Sequence, residues 1–326
     1  MTKILITEQM AGAPLAALQA KFDVTYLPAL WQQRGQLLEH VQTAQGLLVR
    51  NQTQVDAEVL RRATNLKVIG RAGVGLDNID MYAANAEGIV VSYSPGANAN
   101  AVAELTIGFL VALSRRLLCA HEHTRTGGWD RMKFLGQEIS GRCLAVIGCG
   151  AIGRLTAQKA IAMGMNVVGY DPFLTAEIPA VASSGISLMP FTQAVAQADF
   201  VSCHVPASAQ TKEMFDAQCF ANMKKGSFFI NTSRGNVANE AALTSALVSG
   251  HLAGAALDVR MVEPSTVGVL ETLDNVILTP HIGGLTSEAQ EAVLQMICSD
   301  VHEVLEGRPA IHFANFAHPK RKAQQA

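Results

Sequence analysis

Three polar side chains stand where chemistry is expected, each a few residues after an apolar run. Arg234 lies in NTSRG, Glu263 in DVRMVEP and His281 in TPHIGG. A guanidinium binds a carboxylate through two parallel hydrogen bonds, an imidazole gives or takes a proton, and a nearby carboxylate stabilises the imidazolium. Hydride transfer to a 2-keto acid requires these three functions, so the residues are a candidate catalytic trio.

Each member of the trio also has a simpler interpretation. An arginine in a turn is usually solvated, and a lone acid or histidine in a loop is usually part of a surface ion pair or a structural residue. The three apolar runs belong, however, to consecutive predicted strands of one parallel sheet, and ligands bind outside the carboxyl ends of such strands. This order, together with the glycine motif described next, favours the catalytic interpretation.

The segment LAVIGCGAIG, residues 144–153, predicts a strand, a tight turn and the start of a helix. Gly148, Gly150 and Gly153 have the G-x-G-x-x-G spacing of dinucleotide-binding loops. Asp171 ends the next predicted strand about twenty residues later, where the motif requires an acid for the adenosine ribose. The alternative is that the glycines serve only packing, which would not require the acid. Because a carboxylate repels a 2′-phosphate, the motif predicts NAD rather than NADP.

Short apolar runs alternate with helical segments along most of the chain, which is the βαβ pattern of parallel sheets. We therefore expect an α/β fold with two doubly wound parallel sheets. The first series of strands is predicted at 4–7, 24–26, 46–49, 68–70 and 89–91. The second is predicted at 144–147, 167–170, 200–203, 227–230, 255–259 and 276–278, the six strands of a complete dinucleotide domain. A single buried helix is predicted over 101–118, and a final helix with a capping box of Ser287 and Gln290.

Composition argues against several classes of function. The chain has 326 residues and a formal net charge of −2, and its dense basic cluster is confined to Lys320-Arg321-Lys322, which does not make a nucleic-acid surface. Residues 1–10 lack the apolar core of a signal peptide, and the six cysteines have no metal-like spacing. We expect a soluble cytoplasmic protein without a metal site and without nucleic-acid or membrane partners.

Eight stretches are specific enough to compare with a known family. They are LLVRNQTQV (47–55), GRAGVGLDNID (70–80), SPGANANAVAEL (94–105), VIGCGAIG (146–153), CHVPASAQT (203–211), NTSRG (231–235), GAALDV with EP (254–264) and TPHIGG (279–284). These stretches resemble the D-2-hydroxyacid dehydrogenase family, in the branch that contains phosphoglycerate dehydrogenases and hydroxypyruvate reductases. The resemblance covers nearly the whole chain.

The resemblance implies a role for each member of the trio. It makes Arg234 the group that binds and orients the substrate carboxylate, Glu263 the partner of the histidine, and His281 the acid and base. The residues expected beside the substrate are Arg50, Val74, Gly75, Arg234 and His281.

The cofactor site is predicted by the glycine motif and the resemblance together. The resemblance implies that Asp258 meets the nicotinamide carboxamide and that Pro206 and Thr211 lie near the cofactor. The cofactor-binding residues predicted in this way are Gly148, Gly150, Ala151, Ile152, Gly153, Tyr170, Asp171, Val205, Pro206, Thr211, Thr232, Asp258, Gly283 and Gly284. The predicted cofactor is NAD.

The resemblance also implies the domain organisation. Residues 1–101 are expected to begin a flavodoxin-like substrate-binding domain, 102–284 to form an inserted Rossmann domain that binds NAD, and 285–326 to return to the first domain as a helix and tail. The segment 101–145 commonly makes the dimer contact in relatives, so a homodimer is expected. The sequence shows no regulatory extension like that of longer phosphoglycerate dehydrogenases, so serine feedback by that route is not expected.

The leading hypothesis is an NAD-dependent D-2-hydroxyacid dehydrogenase that interconverts a small 2-hydroxy acid and its 2-keto acid. The candidate substrates are 3-phosphoglycerate, glycerate with hydroxypyruvate, and sulfolactate, and neither the choice nor the reaction direction is set by the sequence. Arg50 follows a predicted strand and suits an anionic distal group.

An NAD-sensing corepressor on the same fold is the alternative, and a methyltransferase is disfavoured because it has no use for the trio. Arg260 stands where many relatives have Phe, which leaves the local packing open.

Overall fold

The computed structural model describes residues 2–320, which divide between two compact units. Of the described residues, 2–98 and 285–320 form one unit, and 99–284 form the other. The second unit is therefore inserted between two segments of the first. Of the basic cluster at 320–322, Arg321 and Lys322 lie outside the described residues.

The first unit is a parallel sheet covered by helices. Its strands are β1 (Lys3–Ile6), β2 (Asp23–Tyr26), β3 (Gly46–Val49), β4 (Val68–Arg71) and β5 (Val90–Ser92), in the order β2-β1-β3-β4-β5. This is the flavodoxin-like order, and every pair is parallel. Its helices are α1 (Ala13–Gln19), α2 (Arg34–His40), α3 (Ala57–Arg62), α4 (Met81–Ala86) and, from the end of the chain, α12 (Ser287–Leu305).

Helix α12 completes the core of the first unit. Ile297 and Val301 are fully buried and share a cluster with residues of β1, β3 and β4. A Cβ at Gly70 would lie 2.9 Å from Val301, so the helix sits directly on the sheet. The N-cap is Thr286, whose hydroxyl accepts a hydrogen bond from the backbone N–H of Ala289 at 3.2 Å. The capping box was predicted with Ser287 as its first residue, whereas the N-cap is the preceding residue, Thr286.

The second unit is a larger parallel sheet in the doubly wound arrangement. Its strands are β6 (Cys143–Ile147), β7 (Asn166–Tyr170), β8 (Ser187–Leu188), β9 (Phe200–Cys203), β10 (Phe228–Asn231), β11 (Gly254–Leu257) and β12 (Val276–Leu278). The order is β12-β11-β10-β9-β6-β7-β8. Its helices are α5 (Ala99–Ser114), α6 (Leu117–Arg125), α7 (Ala151–Ala162), α8 (Pro179–Ala182), α9 (Phe191–Gln197), α10 (Ala217–Asn222) and α11 (Glu240–Val248).

Two features of this unit differ from the sequence expectation. Strand β8 adds a seventh strand at the edge of the sheet, and its two residues are too few to produce an apolar run. The helix predicted over 101–118 is instead two helices, because Arg116 adopts a left-handed conformation with φ of +50° between α5 and α6. A residue in that region ends one helix and redirects the chain.

The strand order brings the predicted site residues to one edge of the sheet. Strands β10, β11 and β12 are neighbours and all parallel, so the loops that follow them leave the sheet on the same side. Strands β6 and β9 are also neighbours, and the winding reverses between them. The glycine loop after β6 and the segment after β9 therefore meet at the switch point where open α/β sheets bind ligands.

Three further properties apply to residues 2–320. Within this range no helix is long and apolar enough to cross a membrane. The same residues contain no group of three His, Cys, Asp or Glu side chains arranged to hold a metal ion. All six cysteines are free thiols.

Candidate active site

Arg234 is presented by a turn that Asn231 holds together. The buried amide of Asn231 donates from Nδ2 to the carbonyl oxygen of Arg234 at 2.9 Å, and its Oδ1 accepts from the backbone N–H of Ser233 at 3.0 Å. Arg234 is half-buried, and its Nη1 donates to the carbonyl oxygen of Ser233 at 2.7 Å. The guanidinium thus projects from a rigid turn at the end of β10, which suits a group that binds and orients an anion.

The turn that carries Arg234 packs against the loop that carries Glu263. Gly235 has no side chain, and a Cβ there would overlap with the peptide between Arg260 and Met261. The two loops therefore approach more closely than any other residue at position 235 would allow. This contact fixes Glu263 and Arg234 relative to each other through backbone rather than through flexible side chains.

Glu263 and His281 form a hydrogen-bonded pair. The distance from Nδ1 of His281 to Oε2 of Glu263 is 2.7 Å, and the other oxygen of Glu263 accepts from the backbone N–H of Arg260 at 3.1 Å. Both side chains are about one-third exposed, at 36% and 35%. Because Nδ1 faces the carboxylate, Nε2 is the nitrogen left to exchange a proton with a bound molecule.

The electrostatic surroundings keep Glu263 ionised. Burial acts to raise its pKa, but the hydrogen bond and charge of His281, the N–H of Arg260 and the charge of Arg234 outweigh burial. The pKa of Glu263 therefore lies below its usual value. Because the depressed pKa delays protonation as the pH falls, the carboxylate stays charged at pH values where an ordinary glutamate begins to protonate.

Asp258 organises the turn that carries His281. Its buried carboxylate accepts from the hydroxyl of Thr279 at 2.6 Å and from the backbone N–H groups of Ile282 at 2.8 Å and Gly283 at 2.7 Å. His281 itself has a φ of +55°, which is rare for a residue with a side chain and needs such support. This role was not predictable from the sequence, because nothing in the spacing links Asp258 to the turn around His281. A contact between Asp258 and the nicotinamide carboxamide stays a prediction.

The glycine loop has the geometry that its motif predicts. Gly148 has a φ of +93° and lies against the backbone of His204, 2.8 Å from where its Cβ would be. A Cβ at Gly153 would overlap with the carbonyl oxygen of Gly148, so α7 packs tightly on the loop. At Gly150, by contrast, a Cβ would meet open space. Protein packing therefore explains two of the glycines, and the third is the one that faces solvent where a pyrophosphate would lie.

Asp171 lies beside the same loop. Its Oδ2 accepts from the backbone N–H of Cys149 at 3.0 Å, and its Oδ1 accepts from the backbone N–H of Phe173 at 3.0 Å. A carboxylate has about four acceptor positions, so both oxygens retain capacity for ribose hydroxyls. Tyr170 ends β7, and its ring packs on Phe191 with centroids 5.5 Å apart.

The remaining predicted cofactor residues follow strands β6, β9, β10 and β12 of the same sheet. Val205 is buried after β9, and Pro206 is exposed. Thr211 closes that segment, since its hydroxyl donates to the carbonyl oxygen of Pro206 at 2.6 Å and accepts from the N–H of Ser208 at 2.8 Å. Ala151 and Ile152 begin α7, and Gly284 follows Gly283. Thr232 is buried after β10, with its hydroxyl oxygen 3.2 Å from that of Thr106.

In the first unit, Arg50 follows β3 in a turn that is held from two sides. The buried carboxylate of Glu8 accepts from the backbone N–H groups of Arg50 at 2.8 Å, Gln52 at 3.1 Å and Thr53 at 2.9 Å. The amide of Asn78 donates to the carbonyl oxygens of Arg50 at 3.0 Å and Thr53 at 2.7 Å. The role of Arg50 at the substrate stays a prediction, and the sequence did not indicate the supporting roles of Glu8 and Asn78, although Asn78 stands in one of the matching stretches. The other two predicted substrate residues, Val74 and Gly75, lie half-buried in the turn after β4.

Comparison with known proteins places the chain among dehydrogenases of one family. Residues 107–283 match the family model described as "D-isomer specific 2-hydroxyacid dehydrogenase, NAD binding domain". A D-3-phosphoglycerate dehydrogenase of Methanocaldococcus jannaschii is 40% identical over 316 residues, which is 97% of this chain and 60% of the relative. The chain thus spans about three-fifths of the length of that curated relative.

Solved structures agree with the sequence matches. The TT0316 protein of Thermus thermophilus is 33% identical with a TM-score of 0.90, and the match covers 96% of this chain and 100% of that one. A glyoxylate reductase of Paecilomyes thermophila is 27% identical with a TM-score of 0.87, over 96% of this chain and 98% of that one.

The open space at Gly150 and the filled space at Gly153 make a matched pair of variants. We expect Gly153→Ala to lower the free energy of unfolding by about 1–3 kcal/mol, since the added methyl group has no room. We expect Gly150→Ala to keep the wild-type melting temperature but to weaken NADH binding by about tenfold, which is about 1.4 kcal/mol. Thermal melts measure the stability of the two variants, and fluorescence titration measures their affinity for NADH. Unchanged NADH affinity in Gly150→Ala would mean that the cofactor does not approach this loop.

Proposed function

Since the chain belongs to the D-isomer specific 2-hydroxyacid dehydrogenase family, we propose that it is an NAD-dependent oxidoreductase acting on a small 2-hydroxy acid and its 2-keto acid. The observation that carries this proposal is the Glu263–His281 pair, with 2.7 Å between its polar atoms, at the sheet edge that also presents Arg234. A bound nicotinamide cofactor would supply or accept the hydride.

The proposed mechanism assigns one task to each residue of the trio. Arg234 binds the substrate carboxylate through its two-pronged guanidinium and so orients the neighbouring carbon. In the reductive direction, His281 donates the proton on Nε2 to the carbonyl oxygen, and in the oxidative direction it removes the hydroxyl proton. Glu263 holds Nδ1, which orients the ring and stabilises the imidazolium.

The proposed cofactor is NAD, and the proposed binding unit is the one formed by residues 99–284. The family model assigns a nicotinamide dinucleotide site to this part of the chain. Asp171 supports NAD over NADP, because its carboxylate stands beside the glycine loop and would repel a 2′-phosphate. The other unit, formed by residues 2–98 and 285–320, is proposed to bind substrate, with Arg50, Val74 and Gly75 as contacts.

The proposed substrate has an anionic distal group. The candidates are 3-phosphoglycerate and sulfolactate, with glycerate and hydroxypyruvate as the uncharged alternatives. Arg50 supports an anionic group, because its turn is fixed by the buried Glu8 and its guanidinium donates to the carbonyl oxygen of Gln9 at 3.2 Å, which leaves most of its N–H groups for a ligand. The relative from Methanocaldococcus jannaschii is a D-3-phosphoglycerate dehydrogenase, which agrees with a phosphate.

We further propose that the protein is a cytoplasmic homodimer. The segment 101–145 exposes several large apolar side chains, which are Leu117, Leu118, Trp129, Met132 and Leu135. Such a concentration marks a surface that a second protein covers. The free thiols fit a reducing compartment. None of the relatives named above is described as a corepressor, so that alternative gains no support.

The first test is turnover with a panel of 2-keto acids. We expect NADH oxidation with at least one of glyoxylate, hydroxypyruvate, phosphohydroxypyruvate and sulfopyruvate. His281→Gln should lower kcat by on the order of 10²-fold or more while the Kd for NADH stays close to wild type, because the general acid is lost and the cofactor site is not. A variant that kept wild-type kcat would show that another group transfers the proton.

A second prediction concerns coenzyme choice. Asp171→Asn keeps an acceptor for the N–H of Cys149 but removes the charge, so we expect the preference for NADH over NADPH in kcat/KM to narrow. Asp171→Ala should narrow it as well, with an added loss of stability because the two backbone N–H groups lose their acceptor. If both variants retained the wild-type ratio, the carboxylate would not face the adenosine ribose.

A third prediction concerns the distal group. Arg50→Ala should raise the KM for phosphohydroxypyruvate or sulfopyruvate by about ten- to a hundredfold, the value of a lost charge-assisted hydrogen bond, and should raise the KM for glyoxylate much less. Steady-state kinetics on the four acids gives the comparison. An equal rise on all acids would instead place Arg50 at the shared carboxylate, and no rise on any would remove it from the site.

A further inference from the structure

Arg260 stands in an ion cluster that the mechanism has not used. Its side chain is only 12% exposed and lies between Glu240 of α11 and Glu271. Nε and Nη2 donate to the two carboxylate oxygens of Glu240, each at 3.1 Å, and Nη1 donates to Glu271. The guanidinium therefore offsets part of the repulsion between two carboxylates in a mostly buried space.

The same cluster holds the backbone that supports Glu263. Oε1 of Glu240 accepts from Arg260 Nε and also from the backbone N–H of Met261 at 2.7 Å. The backbone N–H of Arg260 donates to Oε1 of Glu263 at 3.1 Å, on the oxygen opposite the one that binds His281. A continuous set of hydrogen bonds thus runs from Glu240 through residues 260 and 261 to Glu263 and His281.

We propose that Arg260 is a positioning residue that holds Glu263 in the orientation required to bind Nδ1 of His281. This inference rests on the proposed function for its kinetic consequences. Without the guanidinium, Glu240 and Glu271 repel each other, Glu240 is no longer held against residues 260 and 261 by two further hydrogen bonds, and the N–H that fixes Glu263 moves away from it. Glu263 then rotates more freely, and the imidazolium of His281 loses its partner.

The central experiment is the pH profile of kcat/KM for keto-acid reduction in Arg260→Met. Because Glu263 stabilises the protonated ring only while it holds Nδ1, the alkaline limb of the profile should move to lower pH in the variant. Arg260→Lys should recover part of the shift, because an ammonium restores the charge but not the planar fork. An unmoved limb in Arg260→Met would overturn the inference.

A double-mutant cycle separates positioning from general destabilisation. Glu263→Gln should move the limb in the same direction, and the double variant Arg260→Met with Glu263→Gln should move it no further, because both changes act through one hydrogen bond. Additive shifts would overturn the inference. Arg34→Met is the matched control, since Arg34 also joins two carboxylates, Asp56 and Glu58, but in the other unit. Arg34→Met should lower the melting temperature without moving the alkaline limb of the pH profile.

A substitute variant and an NMR measurement test the inference if the kinetic experiment on Arg260→Met is not possible. If Arg260→Met does not fold, Glu240→Gln is the substitute. It weakens the hydrogen bonds of Glu240 to residues 260 and 261, and it should also move the alkaline limb to lower pH. If the wild-type protein reduces none of the keto acids, the proposed function has failed, and NMR then decides the inference. Long-range proton–nitrogen correlation should show a ring protonated at Nδ1 for His281 in the wild type and an exchange-broadened ring in Arg260→Met. Identical His281 signals in the two proteins would overturn the inference.

Discussion

Parallel strands all end at the same edge of a sheet, and the chemistry of the second unit depends on that constraint. Because β10, β11 and β12 are consecutive neighbours, the loops after them emerge side by side although they lie far apart in sequence. Arg234, Glu263 and His281 each occupy one of those loops. The backbone topology thus brings a guanidinium, a carboxylate and an imidazole together without requiring any of them to contribute to the core.

The constraint that places the loops does not by itself fix their shapes, and polar contacts do this. Gly235 lets the peptide after Arg260 approach the turn of Arg234, and Asp258 binds the backbone of the turn that carries His281. Each contact acts on main-chain atoms. Main-chain anchoring leaves the functional side chains few ways to move, which suits a site whose groups must meet a substrate in one geometry.

The sequence allowed the fold class and the positions of the trio after three strands to be predicted, because both leave local signals. Apolar runs of strand length recur at regular intervals, and Arg234 and His281 directly follow two of them. Strand β8 and the break at Arg116 leave no such signal, since one is two residues long and the other depends on a single backbone angle. The roles of Glu8, Asp258 and Glu240 were not predictable for a different reason. Each acts on a turn about twenty or more residues away, and no periodicity connects the partners.

These three acids share one physical device. Glu8 binds the backbone of the turn that presents Arg50, Asp258 does the same for His281, and Glu240 does so for the loop of Glu263. A turn that presents a functional side chain has unpaired N–H groups, and an ionised carboxylate is a stronger acceptor for them than a neutral group. At Arg50 and His281 the acid also brings a negative charge close to a side chain that is positive when protonated. The acids that shape these turns therefore also contribute to the charge around the side chains that the turns present. Replacing any of them with a neutral residue changes the conformation of the turn and the local charge together.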